Sequence, residues 1–134
     1  MGAWDIGPFD NDDAADWLYE LEESSDISAI VAALGVITDI GDEYLEAPDC
    51  WNALAAVEIV AALRGHPIAT LPDNAKAWVG AHRELDASSL VPTAQAVIQR
   101  IRSNSELNEL WDESEEAAKW HATLDEVCAR LNSP

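Results

Sequence analysis

Residues 53–63 read ALAAVEIVAAL, a stretch apolar at every position but Glu58. Alanine and leucine favour a helix, and a helix that is apolar on all sides has to be enclosed by other elements. One such segment therefore demands amphipathic partners from the rest of the chain, and the sequence supplies them. Apolar residues recur at helical spacing nearly throughout, and strand-like alternation is absent. The spacing predicts helices over about 11–23, 26–40, 49–64, 73–82, 90–102 and 113–131, with a short one, opened by a Ser103–Glu106 capping box, ending near Trp111. In the first, Ala14, Trp17, Leu18 and Leu21 share a face; in the fifth, Ala94, Val97, Ile98 and Ile101; in the last, Trp120, Leu124, Cys128 and Leu131. The 26–40 segment places Ile27, Ile30, Val31, Leu34 and Ile37 on one side and Ala29, Ala32, Ala33 and Val36 on the other. It is therefore expected beside 49–64 in the middle of the fold. Linkers are short and no repeat occurs, so the expected architecture is all-α: a compact single-domain bundle of six to seven helices over residues 1–134.

Six tryptophans are spread along the chain. Most are expected as wedges between alanine-lined helices. Trp4 and Trp111, which stand outside the clearest periodic faces, are the candidates for exposed anchors.

Charge narrows the function. The formal net charge is −19, and it is unevenly distributed. Residues 1–63 carry fifteen acids and no Lys, Arg or His; residues 64–104 sum to +2 and residues 105–134 to −6. Binding a phosphate backbone depends on Lys and Arg displacing counterions, so neither a nucleic acid nor an anionic membrane surface is expected as a partner. A basic protein is favoured, because opposite fields speed encounter. The same acidity also serves solubility or life at high salt. The longest apolar run, ISAIVAALGVI at 27–37, is far short of the roughly 20 residues a membrane span needs. The N-terminal residues do not read as a signal peptide. Cys50 and Cys128, without close spacing, are expected as free thiols in a reducing cytoplasm.

The acids begin early. Asp10, Asp12, Asp13 and Asp16 stand between Phe9 and Trp17. With Asp10 as N-cap, Asp12 and Asp13 fall in the first helical turn, where the helix dipole favours them. Helix initiation accounts for the cluster, with Phe9 covering the helix start. A docking role or a divalent-cation site stands beside that reading. An EF-hand does not fit, since Ala15 and Leu21 occupy the positions of the loop glycine and final glutamate.

The stretches MGAWDIGPFDNDDAADW, YLEAPDCWNALAAVEIVAALRG and SELNELWDES together resemble a bacterial domain-of-unknown-function family, DUF4259. The likeness extends over the whole chain, with Asp5 where the pattern is associated with glycine. It implies a small cytosolic bacterial protein and carries no mechanism.

Glu58 is the most chemically distinctive residue. A carboxylate in an apolar helix has to reach solvent, pair with a base, bind something or stay protonated. Arg83, Arg100 and His82 of the basic middle segment are the expected partners. His66, His82 and His121 form no metal-binding pattern, and no nucleophile, phosphate-loop or dinucleotide motif occurs. No catalytic residue, metal ligand or cofactor is expected. The binding candidates are Trp4, Phe9, Asp10, Asp12, Asp13, Asp16 and Glu58. Together they suggest a non-enzymatic interaction module, in one form an immunity-like neutraliser of a basic toxin or nuclease. The alternative is a carboxylate site for a divalent cation or small molecule.

Overall fold

In the computed structural model, which describes residues 7–133, the stretch 53–63 lies within α3 (Ala47–Leu63), and 13 of that helix's 17 residues are buried. Around it pack α1 (Asp12–Glu22), α2 (Ser28–Asp39), α4 (Asp73–Ala81), α5 (Val91–Ser103), α6 (Glu106–Asp112) and α7 (Ala117–Asn132), each in contact with α3. A single 3₁₀ turn at Ser88–Leu90 precedes α5, and no strand occurs among the described residues. The fold is all-α, as the periodicity requires.

α3 owes its central place to its composition and its length to its ends. Pro48 sits in the first turn, where a missing N–H costs nothing. At the far end His66 N donates to Ala61 O at 2.9 Å and Gly65 N to Ala62 O at 3.0 Å. Gly65 takes φ +92° there, so the pair of bonds forms a Schellman cap that only glycine enters without strain.

The predicted inner faces of α1 and α5 are the buried ones. Trp17, Trp51, Trp78, Trp111 and Trp120 are all buried and joined to one core cluster. Each removes on the order of 150–250 Å² from water, roughly 4–6 kcal/mol of transfer free energy. Trp111 is therefore a wedge and not an exposed anchor; it stacks with Trp120 at a centroid distance of 6.2 Å.

Three expectations change. α2 is not central: it buries Ile30, Ala33, Leu34 and Ile37, while Val31 and Val36 are each 45% exposed. An apolar second face did not suffice to enclose it, because α3 takes the middle alone. In α7 the third buried position is Val127, and Cys128 is only half-buried. The short sixth helix is capped by Ser105, whose Oγ accepts the Asn108 N–H at 3.0 Å, and not by Ser103.

No helix among the described residues is long and apolar enough to cross a membrane. Both cysteines are free thiols, and burial pushes Cys50 up to about 11, so it stays protonated and unreactive.

Candidate functional site

α1 begins on Asn11, whose Oδ1 accepts the Ala14 N–H at 2.8 Å. The N-cap is thus Asn11 and not Asp10. An amide caps as well as a carboxylate, and this leaves Asp10 free to fold back over Gly7. Asp10 N donates to Gly7 O at 3.2 Å, and the Asp10 carboxylate occupies the space a Cβ on residue 7 would need.

Phe9, Asp10, Asp12 and Asp13 line one groove of about 560 Å³ with Ala47 and Pro48 at the start of α3 and Glu106 of α6. Four of the candidates are therefore brought together. Asp16 is exposed on α1 outside that groove. Glu58 is elsewhere, in the core, and Trp4 lies outside the described residues.

Glu106 explains why the groove holds its shape. Its Oε1 accepts the Ala47 N–H at 2.7 Å, while its own N–H donates to Leu45 O at 2.8 Å. One residue thus caps α3 from another helix and ties the 40–46 loop to α6. Arg100 holds the same loop from α5, donating to Gly41 O at 2.6 Å and Glu43 O at 2.9 Å. It is a clamp on backbone carbonyls and not the partner of Glu58.

That partner is Arg130. Its guanidinium donates to both Glu58 oxygens, at 2.8 and 3.0 Å, to His66 O at 3.0 Å and to Glu126 Oε2 at 2.6 Å. Glu58 is only 4% exposed. Burial holds its carboxyl above the ordinary value, against the downward pull of the Arg130 bonds and charge. Of the courses open to a carboxylate in an apolar helix, Glu58 takes pairing with a base; Arg83, Arg100 and His82 do not supply the pairing.

The other acids of the leading segment are different. Among the described residues, Glu58 is the sole acid of 7–63 in an ion pair with a base. The rest reach solvent on α1, on the flanks of α2 and at the start of α3. Glu20, Glu23 and Asp26 line the depression between α1 and α2, which runs into a smaller recess shared with Asp49 and Asn52 of α3. Among the described residues no three His, Cys, Asp or Glu side chains gather as a metal site.

Against protein-family models, residues 2–123 match the domain of unknown function DUF4259. The chain belongs to the DUF4259 family. The match takes in α1 to α6 and the first part of α7, so this DUF4259 chain carries Arg130 beyond the matched residues. No curated protein matches it, and no solved structure does.

Two of these features carried no sequence signal. The Glu58–Arg130 pair spans 72 residues, and Glu106 caps a helix that starts 59 residues earlier.

Proposed function

We propose that this DUF4259 protein is a non-enzymatic interaction module that docks a basic protein on the side built from α1, α2 and the start of α3. The supporting observation is that the acids of residues 7–63 other than Glu58 lack basic partners among the described residues while most of them face solvent. Carboxylates left unneutralised on one segment add to a field that attracts cations. The exposed Val31 and Val36 of α2 offer apolar contact beside that field, as the core of an interface requires. Neutralising a cationic toxin or nuclease is one concrete form, in which the acidic face covers a nucleic-acid-binding cleft.

The test is capture of basic proteins at low and high salt, with co-expression beside any toxin-like neighbour in the genome. The reading expects binding that weakens steeply with salt. Salt-insensitive capture, or none at either salt, defeats it. The alternative, a divalent-cation or small-molecule carboxylate site, is separated by calorimetry with Ca²⁺, Mg²⁺ and Mn²⁺; saturable heat with any of them would favour it.

A further inference from the structure

Between α3 and α4 the chain turns twice. Gly65, at φ +92°, carries it off the end of α3, and Leu71 N donates to Ile68 O at 3.2 Å just before α4 begins. A pocket of about 430 Å³ opens between the two turns and α4, within the roughly 300–1,000 Å³ of small-molecule sites. Buried Ala62, Leu71 and Val79 give it an apolar floor, and Pro67 and Ile68 extend the wall. Lys76 and Arg83 stand at its exposed rim. Lys76, Val79 and Arg83 recur at helical spacing along α4 and the turn that follows it. One stripe thus presents a cation, an apolar contact and a second cation.

A groove lined by carboxylates is unremarkable in a chain with 26 acids; one lined by cations alone is not. The crevice beside Glu58 and the grooves along α1 and α2 each carry at least one acid, and this pocket carries none. Five of the seven Lys and Arg are engaged within the chain. Arg64 holds Ser133 O, Arg100 holds the 40–46 loop, and Arg102, Lys119 and Arg130 pair with carboxylates. The two that remain, Lys76 and Arg83, have no ion pair with any described acid, and both line this one pocket. They also fall in residues 64–104, the stretch that sums to +2. At physiological ionic strength charges are screened beyond about 8 Å, so these two, and not the distant acids, set what enters.

We propose that this pocket binds a small amphipathic carboxylate, of the type of a medium-chain alkanoate, an inference that goes beyond the docking function and does not depend on it. The hydrocarbon tail lies on Ala62, Ile68, Leu71 and Val79. The carboxylate stays at the rim, where the planar fork of Arg83 donates to both oxygens and Lys76 adds a point charge. An amine of the same length would meet two like charges there. A wholly polar anion would leave the apolar floor without contact.

The experiment is an NMR titration of the ¹⁵N-labelled protein with sodium octanoate, run beside sodium butyrate and n-octylammonium chloride. Octanoate should give saturable shifts at the Gly65, Ile68, Leu71 and Val79 amides. Butyrate should bind there roughly tenfold to a hundredfold more weakly, since each buried methylene is worth roughly fourfold. Octylammonium should give no saturable shift at those amides. R83Q should weaken octanoate roughly tenfold and K76Q less, both at unchanged Tm because neither side chain holds the fold together. Shifts that are absent, do not saturate, or fall as strongly on the exposed Val31 and Val36 of α2 would overturn the site. So would octylammonium or butyrate matching octanoate, or the double variant K76Q/R83Q binding octanoate like wild type. Concentration-dependent shifts at the same amides without octanoate would put an acidic segment of a second copy in the pocket, and would overturn the carboxylate ligand as well.

Discussion

Glu58 shows what one residue can and cannot announce. A lone carboxylate inside ALAAVEIVAAL states that it needs a partner, because an ionised group in an apolar helix is unstable alone. Which base supplies it depends on how α3 and α7 cross, and no local pattern encodes that. The cost of removing the partner follows from burial. R130M should destabilise the protein by about 3–5 kcal/mol at neutral pH, as expected for a buried charge left without its counter-ion. Without Arg130, burial and the Glu126 charge act on Glu58 unopposed and lift its carboxyl further. A group raised in the folded state stabilises below its unfolded value and loses that contribution as pH rises through the folded one. Urea denaturation should therefore find R130M closest to wild type in acid and increasingly impaired towards neutrality. A deficit independent of pH would show that Glu58 is not the group left exposed to burial. The double variant E58L/R130M, apolar on both sides, should recover most of the loss.

At the scale of the element, the inner faces of α1 and α5 were readable because each presents a single apolar stripe at helical spacing. In the sequence α2 reads as central since its apolar residues run nearly all round, and periodicity alone does not say which of two such helices the others surround. Helix ends were the least legible. Asp10 and Asn11 are both good caps, and the choice between them rests on the turn at Gly7. α3 has no cap of its own side chain; Glu106 provides it from α6. Thermal or urea unfolding should find N11A costing about 1 kcal/mol and D10A much less. E106A should cost about 1–3 kcal/mol, since it leaves the Ala47 N–H at a buried residue without an acceptor. Equal losses for N11A and D10A would return the capping role to Asp10.

For the molecule as a whole, composition foretold an acidic helical bundle, and the distribution of charge foretold which part would be most acidic. The grooves could not be foretold, because they form where helices diverge. Repulsion among unpaired carboxylates opposes folding. Raising ionic strength from about 0.01 M to about 0.15 M shortens the screening length from about 30 Å to about 8 Å, so Tm should climb over that range in a scanning experiment. A flat response would mean the acids lie too far apart to repel. The Glu58–Arg130 bond has a last consequence for synthesis. Glu58 leaves the ribosome 72 residues ahead of the arginine that neutralises it, so the middle helix is made long before its charge can be satisfied. A nascent chain halted short of position 130 holds a carboxylate with nowhere to settle. Within the bundle, the Glu58 charge is thus neutralised only once the final helix has been translated.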